Sequence, residues 1–190
     1  MLIDIEKFAP VSTQPQIETA IHQVYEDAIR FLSSLTLGQF FEKGKKGWSA
    51  AENAEHILKA TRLIELSLLL PRFSFYIFGS AKRSRTFLEV VELYQSSLEN
   101  GGKAGVFAPL HFPFEESDEE RKNSIIEGLK ESADTLSSRM KKFSEENLDT
   151  LRMPHPVIGE NITLREMMFF CIYHVAHHMN ILADKFNIEV

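Results

Sequence analysis

"TLREMMFFCIYHVAHHMNILADKF", residues 163–186, is a run in which apolar side chains return at every turn and three histidines, His174, His177 and His178, fall within five positions. Thr163 and Glu166 stand three apart at its start, the spacing at which a hydroxyl and a carboxylate satisfy each other's backbone N–H groups at a helix N-terminus. The pattern predicts a helix from about Thr163 to about Phe186. At about 100° per residue, His174 and His178 lie on one stripe with Met167, Phe170, Cys171 and Ile181, and these apolar companions mark the stripe as inward-facing. His177 falls to one flank. A helix this apolar must bury most of its surface against other elements.

Those elements are legible on either side. Ile17, Ile21, Val24, Ala28, Phe31 and Leu35 recur at steps of three and four behind Thr13 and Gln16, predicting a helix over Thr13 to Leu35. "WSAAENAEHILKATRLIELSLLLP", residues 48–71, opens with the pair Ser49 and Glu52, and Pro71 marks its end. "SDEERKNSIIEGLKESADTLSSRMKKF", residues 117–143, starts at Ser117 with Glu120 and buries Ile125, Leu129, Leu136, Met140 and Phe143. Between the second and third patterns, from Phe73 to Phe114, lies an insert in which Phe87, Val91, Tyr94 and Leu98 predict a shorter helix ended by "NGGKAG". Its remainder reads as loop. The aromatic "FSFYIF", residues 73–78, fits a pocket lip or a partner surface, but aromatic residues so spaced more often belong to the core, and core is the expectation. With almost no alternating strand pattern, no internal repeat and no linker, residues 1–190 read as one all-α domain. The expected architecture is a four-helix bundle with an extra short helix and a long loop between helices 2 and 3.

Composition narrows the function classes. A net charge of −6 over 190 residues leaves no basic footprint for nucleic acid. A lone cysteine, Cys171, rules out an intrachain disulfide framework and fits a reducing compartment, with the cytoplasm as the simplest expectation. "MLIDIEKFAP" has no basic region leading into an apolar core, and no apolar run is long enough to span a bilayer. No membrane partner is expected.

The histidines are the candidate chemistry. His174 and His178 stand four apart, about 40° on the helix surface, so both imidazoles can converge on one ion, although the same spacing also suits two hydrogen-bonded core residues. His56 shares an inward stripe of the second helix with Ser49, Asn53, Ala60, Leu63 and Ser67. Three buried imidazoles without partners would each cost on the order of 1–3 kcal/mol. One divalent ion held by His56, His174 and His178 gives all three a partner and leaves positions for water or substrate. Zinc, nickel, iron and copper all suit imidazole, and zinc, nickel or iron is the expected ion. Val175 follows His174, so the His-Glu-x-x-His arrangement of a zinc peptidase is absent. Glu52 reads as a helix cap, with Asn53 beside it near the His56 face. His22 reads as a rim residue, His155 as ordering the turn into the fourth helix, His111 as a loop residue and Cys171 as an apolar filler.

"WSAAENAEHILKA", followed near the C-terminus by "HPVIGENITLREMMFFCIYHVAHHMNIL", resembles the DinB-like superfamily over most of the chain. Trp48 and the "HP…G…T…E" run from His155 to Glu166 belong to the same likeness. The resemblance implies a four-helix bundle, often a homodimer, with a metal held by one histidine of the second helix and a His-x-x-x-His pair of the fourth. Those positions match His56, His174 and His178. Some members are thiol-dependent enzymes, among them bacillithiol and mycothiol S-transferases and a maleylpyruvate isomerase. The resemblance thus implies a small-molecule substrate and a low-molecular-weight thiol as cosubstrate, the metal-dependent enzyme being a thiol S-transferase. Two alternatives stand beside it: a metal-dependent hydrolase of a small molecule, and a non-enzymatic, stress-linked homodimeric binding protein with a structural metal.

Overall fold

Helix starts in this chain are set by side chains that take up backbone N–H groups otherwise left without partners. The computed structural model describes residues 3–43, 47–109 and 118–186. Helix α1 (Gln14–Ser34) begins where the Thr13 N–H donates to Gln16 Oε1 at 3.1 Å. A short α2 (Leu37–Phe41) follows with the same device at Thr36 and Gln39. Helix α3 (Ala50–Ser67) opens on the reciprocal pair Ser49 and Glu52, at 2.8 and 3.0 Å. Helix α4 (Phe87–Glu99) is the short helix expected in the insert, capped by Thr86 and Glu89. Helix α5 (Glu119–Met140) is capped by Asp118, whose side chain accepts from the Arg121 N–H at 2.7 Å. The expected cap, Ser117, lies outside the described residues. After α6 (Glu145–Thr150), strands β1 (Arg152–Pro154) and β2 (Asn161–Thr163) pair antiparallel, with Met153 opposite Ile162. Helix α7 (Leu164–Phe186) then starts on Thr163 and Glu166, which exchange bonds of 3.0 and 3.2 Å.

The four long helices form a closed ring. Helix α5 packs on α1 and on α3, and α7 closes the circuit against α1 and, more loosely, α3. Ile17, Ile21, Val24, Ile57, Leu129, Leu136 and Met179 meet in the fully buried centre. Arg165 at the start of α7 is clamped by Asp149 (2.6 and 3.0 Å) and Glu145 (2.7 Å), which ties α6 to the bundle. The all-α bundle expected from the sequence is present, and no helix among the described residues is long and apolar enough to cross a membrane.

Along the α3–α7 seam the insert does what a fifth helix would otherwise do. Helix α4 lies against α7, and two 3-10 turns, Arg72–Phe78 and Gly105–Phe107, sit over the seam, the second in contact with α3. The first turn bears out the expectation that "FSFYIF" is core at Phe75 and corrects it at Phe73, Tyr76 and Ile77. With three residues per 3-10 turn, Phe75 and Phe78 eclipse each other and face inward, while Phe73 and Tyr76 eclipse on the outer side and are exposed with Ile77. Two stripe residues are likewise corrected. Leu63 is half exposed because its face of α3 borders a cavity and not packed core, and Ile181 is 45% exposed, beyond His178, the last residue of α7 that lines the cavity.

The ring of packed helices predicts where truncation is costly. Leu129→Ala, at a fully buried position of α5, should lower unfolding free energy by about 2–5 kcal/mol. Leu66→Ala, 59% exposed on α3, should stay within about 0.5 kcal/mol of wild type. Urea unfolding of the two variants checks the contrast, and equal effects would contradict this packing.

Candidate metal centre

His56 on α3 and His174 and His178 on α7 face one another across the loosest seam of the ring. Nε2 of His174 lies 3.0 Å from Nε2 of His56 and 3.1 Å from Nε2 of His178. The back of two of these rings fixes their protons. His56 Nδ1 is 2.7 Å from the Phe107 carbonyl oxygen, and His178 Nδ1 is 2.7 Å from Asn53 Oδ1. The Asn53 amide nitrogen donates in turn to the Ser49 carbonyl at 2.8 Å, which fixes its oxygen toward His178. A carbonyl oxygen only accepts, so both Nδ1 atoms carry the hydrogen and both Nε2 atoms present lone pairs. A proton on His174 Nε2 can serve one of these lone pairs at a time. A single cation meets all three, and among the described residues this is the only group of three His, Cys, Asp or Glu side chains close enough to hold one.

The electrostatics favour the ligating form. Burial holds the His174 and His178 rings well below the usual imidazole pKa, with repulsion from the neighbouring histidines adding to it. Burial also lowers His56, against the opposing pull of its bond to Phe107. All three rings are therefore neutral at pH 7, the state in which imidazole binds a metal. Aromatic side chains wall the cluster. Trp48 stacks on His178 at 6.0 Å and approaches His56 at 5.0 Å, and Phe170 stacks on His174 at 4.8 Å.

The cluster opens into a cavity of about 270 Å³. Its walls come from the seam face of α3, the 3-10 turn with Phe75 and Phe78, Tyr94 of α4, the β1–β2 hairpin and α7. No Lys, Arg, Asp or Glu among the described residues lines it. Leu63 and Leu70, each about half exposed, border it on the solvent side.

With this arrangement in view, the family model describing the DinB superfamily matches residues 20–182. The chain belongs to the DinB superfamily. No curated protein and no solved structure matches it. The matched span, residues 20–182, takes in all four long helices nearly whole and all three clustered histidines.

The other residues singled out in this DinB-superfamily chain separate cleanly. His177 stays outside the cluster, on the flank, with Nδ1 at 3.5 Å from the Tyr173 hydroxyl, although its ring borders the cavity. Cys171 is buried, its thiol pushed well above the usual range by burial and then by the nearby Glu65, and it does not line the cavity. Glu52 caps α3, and His22 sits at the rim 3.7 Å from Asp134. His111 lies outside the described residues. His155 orders a turn, accepting at Nδ1 from the N–H groups of Val157 (3.3 Å) and Ile158 (3.1 Å). That turn is the hairpin preceding α7, where Gly159 takes φ +77° as its N–H bonds to the His155 carbonyl. Sequence reasoning missed the Phe107 carbonyl, a backbone atom with no residue-type signature. Asn53, a polar residue on the His56 stripe, carried a signal.

Four buried neutral histidines make stability depend on pH in a defined direction. Unfolded histidine titrates near 6.5, and the folded values of His56, His174, His178 and His155 lie below that, the last at about 4. Acid thus protonates the unfolded chain first. Their contribution is complete above pH 6.5 and is lost as pH falls below it, at up to about 1.4 kcal/mol per pH unit for each ring. The urea midpoint of metal-free protein should drop markedly from pH 7.5 to pH 5.0, above the range where most carboxylates titrate. An unchanged midpoint would contradict neutral burial.

Proposed function

We propose that this protein is a metal-dependent enzyme of small-molecule chemistry, one that transfers a low-molecular-weight thiol to an apolar electrophile. The observation that carries the reading is the convergence of three Nε2 atoms, two of them held as lone pairs by their Nδ1–H bonds, at the end of an uncharged cavity. His56, His174 and His178 would hold one zinc, nickel or iron ion. Such an ion supplies Lewis acidity and lowers the pKa of a thiol or water placed on it. Asn53 and the Phe107 carbonyl orient the two outer rings and raise their basicity. The aromatic and aliphatic walls exclude bulk water and accept an apolar reactant. A cluster bordering a cavity supports a reacting site over a purely structural one.

A second reading, hydrolysis of a small molecule, is favoured by one observation. The polar arms of a thiol such as bacillithiol would find no charged partner among the described residues that line the cavity. Water needs none.

Protein purified without chelators should carry one divalent ion per chain by elemental analysis. His178→Ala should abolish tight binding, His177→Ala should leave stoichiometry near wild type, and Asn53→Ala should weaken affinity by roughly 10–100-fold. Undiminished metal in folded His56→Ala and His174→Ala proteins would overturn the centre.

For the reaction, metal-loaded protein should accelerate conjugation of a small thiol with an electrophile, and chelated protein should not. Cys171→Ala should keep the rate, because the incoming thiol is the nucleophile. Glutathione, bacillithiol, mycothiol and coenzyme A are each paired with several electrophiles. Metal-replete protein inert toward all of them, yet active on esters or amides, would move the assignment to hydrolysis.

A further inference from the structure

His155 stands apart from the histidine cluster and has one side of its ring unused. Its Nδ1 faces two backbone N–H donors, Val157 at 3.3 Å and Ile158 at 3.1 Å, so that nitrogen cannot carry a proton. The ring hydrogen must sit on Nε2. That atom is buried, in a residue 2% exposed, and has no hydrogen-bond partner among the described residues. A buried donor left unpaired costs about 1–3 kcal/mol. Capping two N–H groups in a turn does not require this cost, since Asp, Asn or Ser does the same. What imidazole adds is an N–H on its far side, in a residue that lines the cavity.

We propose that His155 is a recognition residue, its Nε2–H holding the acceptor oxygen of an uncharged, apolar carbonyl compound in the cavity beside His56, His174 and His178. Phe170 connects the two ends. Its ring is 4.3 Å from that of His155 and 4.8 Å from that of His174, and all three residues line the one cavity. The lining selects the ligand's charge. With no Lys, Arg, Asp or Glu among the described lining residues, a charged group at the His155 end would be desolvated without a counter-charge. A neutral donor on an apolar wall suits a ketone, aldehyde, ester or amide oxygen. This inference deepens the reading of the cavity as a substrate site and rests on it, while requiring nothing of the metal.

The test uses metal-free protein, full chain, and two probes of the same shape: acetophenone, and α-methylstyrene, in which a CH₂ replaces the oxygen. Affinities are read from NMR shift titrations. Wild type should bind the ketone about 3–10-fold more tightly, the factor one net hydrogen bond supplies. His155→Phe removes donor and acceptor, whereas His155→Asp keeps an acceptor for the N–H groups of Val157 and Ile158 and lacks the donor. Both should bind the two probes equally. If neither variant folds, the wild-type His155 Nε2–H resonance decides, shifting on addition of the ketone and not of the alkene. Equal affinities in wild type, a preference that survives in His155→Asp, no binding of either probe, or an unmoved resonance each overturns the proposal. A protein that shows the preference but binds no metal would sink the metal centre and leave this inference standing. The converse result would do the opposite.

Discussion

Two hydrogen bonds on the far side of the histidine rings, His56 Nδ1–H to the Phe107 carbonyl and His178 Nδ1–H to Asn53, force lone pairs into the α3–α7 seam. A bundle would ordinarily close such a seam with leucines. Here the nitrogens crowd to 3.0 and 3.1 Å, a contact that is repulsive between bare lone pairs and cohesive around a cation. The looseness of α3 against α7 follows from filling that seam with imidazole and a cavity. The tighter α1–α5 and α3–α5 contacts supply the apolar burial that lets the ring tolerate it.

The insert turns this opening into a site. Without residues 72–107 the seam face of α3 would lie bare to solvent, and His56 would lose the carbonyl that sets its tautomer. The 3-10 turn at Gly105–Phe107 is tied down by that bond and by Lys59 Nζ, which donates to the Val106 carbonyl at 2.5 Å. The other 3-10 turn contributes Phe75 and Phe78 to the wall, and α4 contributes Tyr94. The same polypeptide stretch thus roofs the cavity and orients one of the three histidines.

The hairpin before α7 uses the same principle from the opposite direction. At His56 and His178 the Nδ1 atom donates and Nε2 is left as an acceptor; at His155 the Nδ1 atom accepts and Nε2 is left as a donor. Fixed partners at Nδ1, backbone for His56 and His155 and the Asn53 amide for His178, therefore assign opposite hydrogen-bonding character to rings that border one cavity. One end of the cavity is suited to a cation and the other to an oxygen, with Phe170 between them.

By itself the sequence determined the elements that are local in origin. Cap pairs such as Ser49 with Glu52 and Thr163 with Glu166 act over three residues, and a 3.6-residue apolar period declares a buried face wherever the helix ends up, so the long helices and the His174–His178 pair were legible. His56 was legible as well, as an imidazole on an apolar stripe and through the family motif. Tertiary structure alone decided what that stripe faces. Leu63 and Ile181 fit the period yet are about half exposed, because periodicity reports a direction around one helix and not the distance to the next. "FSFYIF" is core only at Phe75, because a 3-10 turn, with its three-residue repeat, buries that ring and turns Phe73 and Tyr76 to solvent. The Phe107 carbonyl and the proton positions on His56 and His178 were decided by contacts 51 and 125 residues apart, and a backbone atom brought in from another segment leaves no trace in residue identity.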